Sequence, residues 1–174
     1  MKCTVCGEGV LKSRRQAYVY REAGLGDGVT LLDVEVRHCS KCGASEPVIP
    51  RIAELHRQIA LTLTRKPGPL TGREVRFLRT YLGYSSKDFA ALIDVRPETA
   101  SRWETDAQKI TLPYDALLRT LVAFGRRVES YDEGAPTAPA ELLALVAQRR
   151  RSTRVKMRSP TKGHTWAGQL AVAA

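Results

Sequence analysis

The sequence predicts an α+β module at the N-terminus, then an all-α domain of short helices, then a basic C-terminal extension. Three observations predict it. Four cysteines fall into two Cys-x-x-Cys pairs, Cys3/Cys6 and Cys39/Cys42, which bracket a stretch of strand-like alternation. A Pro-Gly-Pro break at Pro67, Gly68 and Pro69 precedes a series of short apolar-periodic segments with explicit start signals. Beyond Glu141 the chain carries lysine and arginine but no acid. The expected divisions are residues 1–66, a linker at 67–70, a helical domain at 71–130, and an extension at 131–174 consisting of one helix and a flexible basic tail.

At 174 residues with 43% hydrophobic content the chain has material for one ordinary domain or two small ones. No apolar run approaches the roughly 18 to 20 residues that span a bilayer. Met1 to Cys6 has neither the hydrophobic stretch nor the cleavage site of a signal peptide, so a cytoplasmic protein with no membrane role is expected. The net charge of +10 divides into +4 over 1–66, +2 over 67–130 and +4 over 131–174. Such a balance favours a polyanionic partner, nucleic acid above all, through phosphate neutralisation.

The two Cys-x-x-Cys pairs use every cysteine in the chain. Reducing conditions disfavour a disulfide framework, whereas four thiolates suit tetrahedral zinc. Gly7 and Gly43 follow the pairs, where the backbone must bend to turn N–H groups toward the sulfurs. Four thiolates close the coordination shell, so one structural zinc per chain, held by Cys3, Cys6, Cys39 and Cys42, is expected. His38, beside Cys39, reads as a strand residue or a hydrogen-bond donor to a ligand. Ala17 to Tyr20 reads as one strand. Val29 to His38 reads as a second, with Leu32, Val34 and Val36 alternating against Asp33, Glu35 and Arg37. Gly24 to Gly28 is the turn between them. A hairpin between two cysteine knuckles is a zinc-ribbon-like module, too small to fold without its metal.

From Pro47 to Arg65, Ile52, Leu55, Ile59 and Leu63 form a single helical stripe. After the linker, Thr71-Gly72-Arg73-Glu74 is a capping box that opens a helix bearing Val75, Leu78 and Leu82. Ser85 to Asp88 starts a second helix with Phe89, Leu92 and Ile93. Pro97 opens a third helix, to about Glu104, at the position where its missing N–H costs nothing. A fourth begins near Leu112 and Pro113 and carries Leu117, Leu118, Leu121 and Val122. Two short helices joined by a tight turn and flanked by supporting helices are a helix-turn-helix arrangement. On the third helix Ala100 and Trp103 face inward, leaving Glu98, Thr99, Ser101 and Arg102 outside. Glu98 and Arg102, four apart, either form an intrahelical ion pair or leave the arginine for guanine or phosphate. The candidate DNA contacts are Ser86, Lys87, Arg96, Glu98, Thr99, Ser101 and Arg102.

Ser85-Ser86-Lys87-Asp88-Phe89-Ala90 and Thr99-Ala100-Ser101-Arg102-Trp103-Glu104 resemble the Xre/λ-repressor-like helix-turn-helix family. With the Met-Lys-Cys-x-x-Cys start and the second cysteine pair, Met1 to about Gly125 is similar to the MqsA (YgiT-type) antitoxin family. The resemblance implies a structural zinc on the four cysteines and an N-terminal module that binds a toxin, usually a small ribonuclease. It implies a C-terminal module that dimerises on double-stranded operator DNA and represses its own operon, in a bacterial cytoplasm and on the nucleoid when DNA-bound. Arg102 matches the family's recognition-helix arginine. Ser86 falls where related repressors carry glutamine, and Glu98 where the family has a base-reading asparagine, so operator preference is not inherited. The glycine usual after the Trp-Glu pair is replaced by Thr105-Asp106, which implies a changed loop.

The C-terminal end departs further. Thr137 to Glu141 starts another helix with Leu142, Leu143, Leu145 and Val146. Arg149, Arg150, Arg151, Arg154, Lys156 and Arg158 form a basic run that serves either as a flexible tail or as an arm gripping phosphates or a partner. Trp166 hints at docking. The leading expectation is an antitoxin that is also an autorepressor. The alternative is a stand-alone zinc-containing Xre-type transcription regulator without a toxin. An enzyme is not expected, because His38, His56 and His164 form no metal-ligand motif.

Overall fold

The computed structural model describes residues 1–124, 153–158 and 167–172. Strand β1 (Leu11–Val19) pairs antiparallel with β2 (Val29–Cys39), and β3 (Ser45–Val48) pairs with the C-terminal half of β2 on its other flank. Helix α1 (Ile52–Thr64) follows, then α2 (Gly72–Tyr81), α3 (Ser86–Leu92), α4 (Pro97–Glu104) and α5 (Leu112–Phe124). Two strands close the fold. β4 (Thr153–Arg158) runs parallel to Val29–Leu32 of β2, and β5 (Ala167–Val172) pairs antiparallel with β4. The result is an α+β fold with five helices among the described residues, and none of them is long and apolar enough to cross a membrane.

β2 is the spine of the sheet. Its buried side chains are Val29, Leu31, Val34 and Val36, all without accessible surface, while Leu32 is only half-buried. The expected alternation through Leu32 therefore fails at one place. Asp33 has φ +56°, and the β1–β2 register shifts between Gln16 and Tyr18. This bulge inserts a residue and turns Leu31, instead of Leu32, onto the face that carries Val34. On the same face α1 buries Leu55, Ile59 and Leu63, while Ile52, the first member of its stripe, is exposed.

The C-terminal strands correct the expectation of a flexible basic tail at 153–158. The sequence Thr153-Arg154-Val155-Lys156-Met157-Arg158 has the period of two that a strand requires, beneath its charges. Val155 and Met157 are buried at 2% and 0% exposure, and Lys156 is exposed. Arg154, Lys156 and Arg158 thus belong to the sheet. Arg149, Arg150 and Arg151, the expected helix from Thr137 to Val146, and Trp166 lie outside the described residues.

The Pro-Gly segment is fastened in place. Arg119 and Asp115 of α5 form an ion pair (Nε to Oδ1, 2.5 Å) with neither side chain exposed. Arg119 also donates to the carbonyls of Thr64, Lys66 and Gly68 at 3.0, 2.6 and 2.7 Å. Asp115 Oδ2 accepts the Leu70 N–H at 2.7 Å. One buried pair thereby satisfies the polar backbone where α1 hands over to α2, and Leu70 itself is buried. The apolar core runs without interruption from β2 and β4 through α1 to α5.

Candidate metal centre and the α3–α4 surface

The N-terminal loop and the end of β2 are stitched together before their cysteines meet. Cys3 N–H donates to Gly9 O at 2.8 Å and Gly7 N–H to Cys3 O at 2.9 Å, so the first Cys-x-x-Cys closes on itself. Ser40 N–H donates to Val10 O, and Ser40 Oγ accepts the Val10 N–H. Cys39 ends β2 and donates its N–H to Ala44 O, which turns Cys42 back toward the loop. Gly7 and Gly43 have φ of +70° and +72°, the left-handed turns expected after each pair.

The Sγ atoms of Cys3, Cys6, Cys39 and Cys42 all lie within 4.8 Å of one another and form a possible metal site. The shortest approaches cross between the pairs, Cys3 to Cys42 and Cys6 to Cys39, each at 3.7 Å. Disulfide sulfurs stand about 2.05 Å apart, and all four cysteines are free. Backbone N–H groups converge on the sulfurs: Gly9 on Cys6 at 3.3 Å, and Lys41 and Cys42 on Cys39 at 3.4 and 3.5 Å. The Cys42 and Lys41 N–H groups draw the Cys39 thiol down to about 6. Cys42 goes the other way, to about 12. The Ala44 N–H is the largest single influence and lowers it, but hydrogen bonding to Cys39, desolvation and the Cys6 and Cys3 sulfurs together outweigh that. The cluster thus favours ionised Cys39 and resists a second negative charge at Cys42, a conflict that a cation bound to the sulfurs removes. His38 is a half-buried β2 residue paired with Lys12 and Ser45, outside the cluster.

Gly9 is part of the site that spacing alone does not mark. A Cβ there would stand 2.2 Å from Cys39 Sγ. The only hint in the sequence is a glycine three residues beyond Cys6.

The second candidate surface belongs to α3 and α4. Ser85 caps α3 by accepting the Asp88 N–H at 3.1 Å, and Asp94 (φ +54°) reverses the chain in the short turn. Arg96 is extended, as the residue before proline must be, and Pro97 opens α4. Ala100 and Trp103 are buried at 1% and 2%, and Trp103 packs on Tyr114 with ring centroids 5.0 Å apart. Arg79 of α2 grips Glu104 with two bonds (2.6 and 3.0 Å) and donates to Tyr84 O, which fixes α4 against α2. Lys87, Arg96, Glu98, Ser101 and Arg102 are exposed, and Ser86 and Thr99 are half-buried. Glu98 and Arg102 make no ion pair with each other or with any other described residue.

No protein-family model, characterised protein or solved structure matches this chain.

The loop after α4 holds a residue whose role the sequence hid. Asp106 takes φ +58°, the left-handed conformation in which glycine is at ease, and Asp106 N–H donates to Trp103 O. Its carboxylate is held below its ordinary value by Lys109 first and then by the Gly72 N–H at the start of α2. A Cβ on Gly72 would lie 2.5 Å from Trp103 O, so α2 begins almost in contact with the end of α4. The sequence therefore brings two groups into order, the four cysteines at one end of the sheet and the exposed face of α4 set by α2.

Proposed function

We propose that this chain is a DNA-binding transcriptional regulator of the antitoxin type. Its helix-turn-helix is α3 and α4, and its N-terminal module is organised by one structural zinc. The observation that carries the reading is the division of α4, in which Ala100 and Trp103 are buried while Arg102, Ser101 and Glu98 face outward, with Arg102 in no ion pair among the described residues. The Glu98–Arg102 ion pair, the ordinary use of that spacing, is not made, which leaves the guanidinium for a guanine edge or a phosphate. Lys87 in the first turn of α3 and Arg96 just before α4 supply further phosphate contacts. Glu98 accepts from cytosine N4.

The donor set supports zinc. Metal–sulfur bonds of about 2.3 Å in a tetrahedron place sulfurs about 3.8 Å apart, close to the 3.7 Å of the two cross-pair approaches. Four thiolates leave no open position, so the ion's role is to hold the loop of Cys3–Cys6 on the end of β2. Neutralisation of a toxin by that module, and a homodimer on a palindromic operator, follow from the resemblance to the MqsA-type antitoxins. The reading without a toxin has one observation in its favour: β4 and β5 already take one flank of the N-terminal sheet.

The test is fluorescence anisotropy with the DNA upstream of this gene. Specific binding is expected, and Arg102→Ala should weaken discrimination against a scrambled duplex by about tenfold or more at unchanged thermal stability. Specificity that survives the substitution refutes α4 as the reader. Growth of cells expressing the adjacent small reading frame, alone and with this protein, then decides between antitoxin and stand-alone regulator.

A further inference from the structure

We propose that the cleft between the β1–β2 connection and α2 is a binding site for an aromatic monophosphate of mononucleotide size. This inference does not rest on DNA binding. The cleft has a volume of about 520 Å³, within the range of roughly 300–1,000 Å³ typical of small-molecule sites. Its two walls come from distant parts of the chain, the short segment around Glu22 to Gly24 and the outer face of α2, with α1 contributing His56.

The lining has two chemical halves. One is cationic. Arg73 and Arg76, one turn apart on α2, both line the cleft, both are exposed, and neither makes an ion pair among the described residues. Guanidinium groups suit the oxygens of a phosphate dianion through charge-assisted bonds. The single acid of the lining, Glu22, already accepts a 2.5 Å hydrogen bond from Tyr18. It competes weakly for Arg76, while Arg73, whose guanidinium lies against Gly26, also helps hold the Asp106 carboxylate below its ordinary value.

The other half is aromatic. His56, Phe77 and Tyr81 line it, with the His56 and Phe77 rings edge to face at 5.9 Å. The Tyr20 hydroxyl holds His56 by its Nε2 at 2.8 Å. Burial keeps that imidazole below its ordinary pKa, so it offers a neutral ring. A flat ring entering here would meet aromatic side chains, and its phosphate two arginines. A ligand in this cleft touches the loop joining β1 and β2 on one side and α2 on the other. It would therefore tie the sheet that ends in the cysteine cluster to the helix that positions α4.

The experiment is titration of the full chain with AMP, followed by calorimetry and by the NMR signals of the His56 ring. Expected is saturable binding of one AMP per chain with displacement of the His56 signals. The double variant Arg73→Gln/Arg76→Gln should weaken binding at least about tenfold, the loss expected for charge-assisted bonds, and Arg102→Gln should not. Inorganic phosphate alone should bind more weakly than AMP. Absence of AMP binding overturns the proposal, as does binding that ignores the double variant or leaves the His56 signals still. Phosphate binding as tight as AMP overturns the aromatic half. Displacement of AMP by a non-specific duplex makes the cleft part of the DNA surface and overturns it as a separate site. The His56 signals report on the unmodified chain, so the test stands even where the double variant fails to fold.

Discussion

Gly9 and Gly7 sit two residues apart in the same loop, yet they are glycine for different reasons. Gly7 has φ +70° and open space where a Cβ would go, so Gly7→Ala meets only left-handed strain of about 1–2 kcal/mol. Gly9 has ordinary backbone angles, and its Cβ would fall 2.2 Å from Cys39 Sγ. Gly9→Ala must therefore push a sulfur out of the cluster. Zinc affinity, measured by competition with a chromophoric chelator, should fall on the order of ten- to a hundredfold, the range for groups that hold ligands in place. Gly7→Ala should lower the melting temperature and leave affinity nearly intact. Equal affinities for the two variants would mean that the loop shifts freely and that Gly9 has no part in the site. Cys39→Ser gives the upper bound, since it removes the sulfur on which two N–H groups converge. Asp106 pairs the two considerations differently. It accepts a left-handed φ of +58° where glycine would be unstrained, and its carboxylate takes the Gly72 N–H.

Helix α4 is read from local chemistry and held by distant chemistry. Its bounds, Pro97–Glu104, are those the sequence announces, because the pre-proline residue and proline at the first position act within a few residues of themselves. The same holds for α2, whose capping box forms with both of its reciprocal bonds. What holds α4 is Arg79, which is 11% exposed and engages both oxygens of a 10% exposed Glu104. Removing one partner of a buried pair costs about 3–5 kcal/mol. Arg79→Met should therefore lower stability to chemical denaturation by that order and weaken DNA binding with it. Arg102→Ala should weaken DNA binding alone. An Arg79→Met protein with normal stability would show that packing of Trp103 and Ala100 suffices to seat α4. The cysteine cluster was legible for the same reason as the helices, since paired spacing needs no knowledge of the fold. The strands were less so. A bulge at Asp33 moves the buried position from Leu32 to Leu31, and no residue pattern announces it. β3 went unread: only Pro47 and Val48 fall in the stretch read as helical, and its four residues carry no clear alternation.

The two ends of the chain meet in one sheet, and the core extends from that sheet into the helices. Val29 to Leu32 has β1 on one flank and β4 on the other, and Val155 and Met157 are buried against the rest of the core. Charge concealed this in the sequence. Arg154, Lys156 and Arg158 read as part of a solvated tail, and the alternate Val155 and Met157 were lost among them. A strand paired in parallel with one far earlier in the chain also leaves no local signal. Arg119 and Asp115 were hidden by the opposite effect, as a charged i, i+4 pair within an apolar helix that resembles an ordinary surface bridge. That buried pair and the C-terminal strands join the sheet to the helices from two sides, and the strands give the sharper test. A flexible tail would leave thermal unfolding unchanged when Met157 is altered. A core strand would not: Met157→Ala removes a side chain with no accessible surface, and such truncations cost about 2–5 kcal/mol. Lys156→Ala, exposed on the other face, should cost less than about 0.5 kcal/mol. The expected result of denaturant unfolding is therefore a large effect at 157 and almost none at 156. Because the core is continuous, the loss at 157 should appear in the single transition that also unfolds the helices. Equal, small effects at the two positions would return β4 to the status of a tail, and a separate low-stability transition confined to the sheet would divide the core into two units.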